Sequence, residues 1–486
     1  MSYVQRPVRS WLIFVATATL AGAIGVAVGM DRMLLAVVLA GCALIASVFF
    51  TDYLTLYHWC ALLLLGTVLA RAPVVLLGLP GMLNFAHYPV ALALAWAASN
   101  RPRPDDGRSK APKHWLVGLA LITAISAGAN LVHPVRVLFF LLIVGEPLLV
   151  IWSIRRWGPE PQSERKLLYL VTAVVLVQLP FIASQGLTLG WTDPVKGTLM
   201  QHGAGAHVLG GLFALVLFVS VFAVRDRLIS PIVGLGLAGV AVLVMVGAGA
   251  MAVLITSIIA LLLASSFTTR REDSQSRVQL RPAGSFIALL FVVPAFLLAQ
   301  IAVPALFERS RDFLDLQRFP EADLVQDRAR SNALELMIGS GPGTSASRAS
   351  ILLAPGVYEE GSPLAVVALP PTEAGLRILR EDIRIITKLA GGSAEKSAST
   401  ALAVLGDLGL VGALALILFF ASIWRDTAYA SSAQGSAVRA ALVMLLGLIF
   451  LDNWLEYPEF TVPLALLIGF ATGERKPAQA ADRALA

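Results

Sequence analysis

Four places in the 486-residue chain set ionisable or anion-binding residues against a strongly apolar background. The first is 193–210, which runs from a polar loop into an apolar helix and carries Lys196, His202 and His207. At a membrane boundary these side chains can bind an anionic head group, and histidine, titrating near neutrality, can move a proton. Gly203 and Gly205 allow close backbone approach there; interfacial anchoring of a helix start is the plainer alternative. The second place is Asp327-Arg328-Ala329-Arg330, followed by Gly339-Ser340-Gly341-Pro342-Gly343-Thr344 and Arg348. Arginine's planar fork suits phosphate, and a glycine-rich turn offers backbone N–H groups to the same anion. Arg328, Arg330, Arg348, Gly341 and Gly343 are therefore candidate ligands for a phosphate-type anion, with a solvated helix face as the alternative for the arginines. No lysine follows the last glycine, which excludes a nucleotide-triphosphate loop. The third is the stripe Arg377, Arg380, Arg384 and Lys388, whose spacing shares one helical face that Glu373 and Glu381 can pair with. The fourth is Asp407 within Leu405-Gly406-Asp407-Leu408-Gly409-Leu410-Val411-Gly412, together with Arg136 just after His133-Pro134. An ionisable group inside a membrane helix is costly and is a functional candidate for that reason; glycine-lined helix packing is the alternative for the Asp407 stretch.

The elements that position these residues are membrane helices. Hydrophobic residues make up 57% of the chain and charged ones 14%, against roughly 45–50% and 25% in soluble domains. Runs such as Trp11–Met30, Ile287–Leu306 and Leu402–Phe420 are long enough to cross a ~30 Å hydrocarbon layer. Backbone groups in lipid must be satisfied within each segment, so the fold class is all-α and polytopic. The pattern predicts about fourteen spans: 11–30, 33–50, 54–78, 82–99, 115–132, 136–152, 167–186, 205–224, 231–246, 249–265, 285–306, 401–423, 440–451 and 461–472. The chain thus divides into an N-terminal bundle (1–306), a partly helical extracytoplasmic region (307–399) and C-terminal helices with a tail (400–486). The first run follows Arg6 and Arg9 but is too long for a signal-peptide core and reads as a retained helix.

Charge fixes the sides. With a break near Gly247-Ala248-Gly249, the loops 100–114, 155–166, 225–229, 266–283 and 424–439 and both termini share one face, which holds most of the 37 Lys and Arg residues. The positive-inside rule makes that face cytoplasmic. The net charge of +6 is therefore a topological signal and not a nucleic-acid footprint. Cys42 and Cys60 lie in or beside apolar runs and read as core thiols.

The order of features resembles the O-antigen ligase and O-antigen polymerase family of bacterial membrane glycosyltransferases. Gly197-Thr198 and His202–Gly210 match its mid-chain segment, and a Gly-broken pair of short helices comes next. Arg328 or Arg330 matches the arginine ahead of its Gly-x-Gly-Pro-Gly turn, here Gly339–Gly343, and Asp407–Gly412 match its acidic helix start. The chain departs from the pattern twice. Gly247-Ala248-Gly249-Ala250 replaces a Ser-Arg-Gly, and Ala398-Ser399 stands where a His-Asn pair is common.

The resemblance implies transfer of a polyprenyl-pyrophosphate-linked glycan onto a glycan acceptor at the outer face of the bacterial cytoplasmic membrane. It implies no cofactor and no metal. Arg328, Arg330, Lys196 and Arg136 would meet the pyrophosphate, and His202 or His207 would act as base, with Asp407 beside them across a cavity. The implied partners are the lipid-linked glycan, the bilayer and other polysaccharide-assembly proteins. The missing His tilts the expectation from ligase toward polymerase. A transporter or flippase for lipid-linked oligosaccharide and a non-catalytic envelope-assembly protein are the rival readings.

Overall fold

The computed structural model describes residues 55–69, 85–101, 111–159, 163–191, 195–199, 205–272, 275–280, 333–344, 400–428, 433–449 and 453–473. The expected spans 11–30, 33–50 and 285–306 lie outside these residues, as do His202, Arg328, Arg330, Arg348 and the stripe 377–388.

The described apolar runs are helices. They are α1 (Leu56–Leu64, continued by a π turn, Leu65–Leu69), α2 (His87–Ser99), α3 (Ala111–Ala129) and α4 (Pro134–Trp157). Next come α5 (Ser163–Leu176), α6 (Leu179–Leu189), α7 (Gly205–Arg225), α8 (Pro231–Gly247) and α9 (Met251–Ser266). The remainder are α10 (Ala333–Ile338), α11 (Thr400–Ala428), α12 (Ala433–Leu448) and α13 (Pro458–Gly473), with a 3-10 turn at Trp454–Glu456. Among the described residues the strands form an antiparallel hairpin after α9, β1 (Phe267–Glu272) with β2 (Gln275–Leu280), which pairs Arg270 with Arg277. Four stretches, Pro134–Trp157, Arg165–Leu189, Gly205–Arg225 and Ala403–Thr427, are long and apolar enough to cross a bilayer, and shorter apolar helices accompany them. The protein is an α-helical membrane protein.

Local chemistry sets the helix ends. His133 caps α4, its Nδ1 accepting from Val135 N at 3.3 Å ahead of Pro134, and Gly158 closes the helix at φ 77°. α4 runs past the expected 152 because Arg155 and Arg156 sit in its last turn, where the helix dipole favours cations. The expected break between α8 and α9 falls at Ala248 and Gly249, the latter at φ 71°.

α7 is the central helix: 83% of its apolar window is buried, against 33–39% for the other long spans. α8, α9, α12 and α13 pack around it, and α4 packs against α13, α2 and α3. Gly469 and Gly473 of α13 lie against Ile154 and Pro159, so α4 and α13 run parallel at close approach. Leu121, Ile125, Leu138, Ile232, Leu243 and Ile417 point outward, an apolar surface for lipid to cover.

Polar contacts mark the two ends of the bundle. At one, Arg155 pairs with Asp426 at 3.1 Å, Arg156 donates to the Arg101 carbonyl at 3.0 Å, and Arg439 donates to the Thr427 carbonyl at 3.3 Å. Arg136 and Asp407 mark the other, nineteen residues up α4 from Arg155 and up α11 from Asp426. On α4 these nineteen residues span about 28 Å, close to the ~30 Å thickness of a hydrocarbon core.

A clasp between the glycine turn and a broken helix

Helix α11 is not continuous. Gly409 adopts φ 65°, ψ −162°, which breaks the helical ladder two residues after Asp407. A break inside a membrane helix strands backbone carbonyls that need donors from protein. The turn after α10 supplies them. Ser340 N donates to the Gly406 carbonyl at 2.8 Å and Gly341 N to the Asp407 carbonyl at 3.2 Å. The Ser340 hydroxyl adds a second bond to Gly406, at 3.0 Å.

Glycine is required on both sides of this contact. Gly339 adopts φ 76°, and a Cβ there would collide with the Asp407 carbonyl. A Cβ on Gly409 would meet Gly339 N and the Met337 carbonyl. Two backbones therefore touch where neither can carry a side chain.

The next turn residue is held from two sides by opposite charges. Asp407 Oδ2 accepts from Gly343 N at 2.8 Å, and Arg136 Nη1 donates to the Gly343 carbonyl at 3.0 Å. Asp407 is 0% and Arg136 4% exposed. The α3 end buttresses the same contact: Ser126 Oγ donates to the Ile338 carbonyl at 2.6 Å and to the Asp407 carbonyl at 3.1 Å. Asn130 Nδ2 reaches the Gly339 carbonyl at 3.0 Å. Beside this clasp the α3–α4 corner opens as a groove of about 600 Å³ with apolar lining side chains, among them Leu131, Val132, Pro134, Val137 and Leu141.

The structure thus brings Arg136, Gly341, Gly343 and Asp407 together, but it corrects what the turn does. An anion-binding turn must present free N–H groups. Here Gly339 N donates to Glu335, Ser340 and Gly341 N to the broken helix, Gly343 N to Asp407 and Thr344 N to Gly341, while Pro342 has none to give. Gly341 and Gly343 are engaged in docking the turn, so their backbone donors do not face a pyrophosphate. Asp407 and Arg136 hold the turn in place.

Lys196 belongs to a separate lock. Gln185 Oε1 accepts from Lys196 N and Gly197 N, each at 2.8 Å, and its Nε2 donates to the Gly197 carbonyl at 2.7 Å. Gln178 Oε1 accepts from Thr198 N at 2.7 Å, and Thr198 Oγ1 donates to the Val68 carbonyl at 2.9 Å. Gly197 is at φ 62°, facing the Gln178 amide and the Leu209 side chain. The Gly197-Thr198 pair therefore ties its loop to α6 and its cap Gln178, to the π turn after α1, and to the start of α7, where His207 is half-buried. This lock has partners of its own among the described residues.

One further polar pair has no counterpart among the residues singled out from sequence. His87 Nδ1 and Glu146 Oε1 are 2.6 Å apart, both buried. Glu146 carries the signal that singled out Asp407, a lone carboxylate in an apolar run, whereas nothing in local spacing links it to His87, 59 positions earlier. Among the described residues no cluster of three or more His, Cys, Asp or Glu side chains is disposed to hold a metal. No family model matches the chain, and no curated protein is similar to it.

Proposed function

We propose that this chain is a bacterial inner-membrane glycan polymerase, or a related ligase, acting on a polyprenyl-pyrophosphate-linked oligosaccharide. In this reading about fourteen helices span the membrane, both termini are cytoplasmic, and 307–399 lies outside. The observation that carries it is the clasp. It fixes the start of the Gly339–Thr344 turn to the membrane bundle at the end opposite the Arg155–Asp426 pair, beside an open apolar groove. A lipid-linked donor needs that combination: an apolar channel for the prenyl chain next to a rigidly held extramembrane segment. The resemblance to O-antigen polymerases and ligases rests on the same residues.

Because the turn's donors are engaged, the pyrophosphate is met by side chains, Arg328 and Arg330 ahead of the turn and Arg348 after it. Lys196 lies at the entry to α7. An acceptor hydroxyl attacks the anomeric carbon and yields its proton to His202 or His207. The bond from that carbon to the pyrophosphate oxygen breaks, and the arginines stabilise the charge that develops there. Asp407 and Arg136 are positioning residues in this scheme.

Purified protein in vesicles, given an undecaprenyl-pyrophosphate oligosaccharide, should lengthen or transfer the glycan and release the carrier pyrophosphate. Arg328→Ala with Arg330→Ala should abolish product, and a fully active double variant would remove both from the mechanism. Movement of the intact lipid-linked glycan across the bilayer, with no new glycosidic bond, would replace the reading with a flippase.

A further inference from the structure

Midway between the two polar ends of α4 lies a titratable pair that the transfer chemistry does not use. Glu146 is ten residues from Arg136 and nine from Arg155, which puts it about 14–15 Å along the helix from each. That is the middle of the span. His87, the first residue of α2, meets it with Nδ1 2.6 Å from Oε1. The two are 1% and 3% exposed.

The pair is incompletely satisfied. Glu146 Oε2 is buried with no hydrogen-bond partner, and among the described residues Glu146 pairs with no lysine or arginine. Pro147 has no N–H to give, so the Ile143 carbonyl, one turn before it, loses its helical donor. Thr461 adds a third group. Counting back eight residues on both helices from the contact of Gly469 with Ile154 brings Thr461 level with Glu146, and Thr461 Oγ1 is also buried without a partner. The other titratable groups on the elements packed around the pair include Tyr57, His58 and Cys60 of α1, Tyr88 of α2, whose ring centroid is 4.1 Å from that of His87, His114 of α3, Glu456 of the 3-10 turn and Glu459 at the start of α13. Arg136 and Arg155 close the two ends of α4.

A carboxylate that accepts only from a neutral imidazole leaves one negative charge at mid-membrane. One proton, taken up on Oε2 or on the second imidazole nitrogen, makes the pair neutral with no heavy atom moving, and releasing it restores the charge. We propose that His87 and Glu146 form an intramembrane proton-binding site, with Glu146 the proton-bearing carboxyl and His87 its partner. The site is independent of the glycan reading and is tested without substrate.

A carbodiimide such as dicyclohexylcarbodiimide reacts with protonated carboxyls in apolar surroundings, and peptide mass mapping locates the adduct. The full-length protein in detergent should be labelled at Glu146, with a yield that falls as pH is raised. Glu146→Gln should remove that adduct while leaving any other unchanged. His87→Gln keeps the carboxyl and should displace the pH midpoint of labelling by about one unit or more, a tenfold change in proton affinity. If Glu146→Gln does not fold, the His87→Gln profile decides. Absence of label on Glu146 at every pH, or a profile that His87→Gln leaves in place, would overturn the proposal and make the pair a structural contact.

Discussion

Two loops are locked to this bundle, and they are locked by different chemistry. The Lys196–Thr198 loop is held by neutral groups, two glutamine amides and a threonine hydroxyl. The Gly339–Thr344 turn is held by a buried carboxylate and a buried guanidinium that grip the same glycine from both sides, and by a helix that breaks to receive it. Both depend on glycine at positive φ, at Gly197 in one and at Gly339, Gly341 and Gly343 in the other. They differ in how each responds to the loss of one partner. A missing amide leaves neutral donors and acceptors; a missing carboxylate changes the charge of a dry site. The charged clasp is therefore the more brittle of the two, and the more specific.

The largest expected effect comes from Asp407→Ala, which strips Gly343 N of its acceptor and removes a carboxylate that acts electrostatically on buried Arg136. We expect a loss of about 3–5 kcal/mol, read as unfolding free energy in mixed detergent micelles, with the 339–344 turn becoming open to protease. Gly339→Ala tests the backbone contact alone. Left-handed strain and overlap with the Asp407 carbonyl should cost about 2–3 kcal/mol, and an unchanged unfolding midpoint would show that the two backbones do not touch. On the neutral side, Gln185→Ala removes three hydrogen bonds and should cost about 1–3 kcal/mol. If it proves as damaging as Asp407→Ala, charge is not what distinguishes the locks. The smallest effect is expected at the far end, where Arg155 and Asp426 remain partly hydrated. Asp426→Asn should cost at most about 1 kcal/mol, and less in high salt.

Much of this architecture is legible in the sequence because lipid makes it so. Apolar runs of helical length allow one solution, and the demand that basic loops share a side places a break at Gly247–Gly249, where α8 does end. The parts of the charged clasp are legible too: Asp407 and Arg136 stand out as ions in apolar surroundings, and the glycine turn as backbone that must bend. Their relation is not. A glycine-rich turn announces free donors but not their acceptor, and here the acceptor is supplied by a helix more than sixty residues later, opened by Gly409. The glutamines of the neutral lock leave still less trace, since Gln178 and Gln185 carry no charge and acquire meaning only when the loop folds back on them. His87 and Glu146 are invisible as a pair for the same reason of distance.

The matched spacing of Arg136 with Arg155 and of Asp407 with Asp426 also sets the thickness of bilayer in which the protein is at ease. α4 and α11 each carry polar groups nineteen residues apart in sequence, α11 with a break at Gly409 between them, and both ends are tied down, one by the turn and one by an ion pair. Helices fixed in this way cannot tilt independently to absorb a thicker membrane, so mismatch must be taken up by the lipid instead. Bilayers of hydrocarbon thickness near about 28 Å suit the bundle; longer acyl chains would have to thin around it, and the protein would gather where the membrane is already thin.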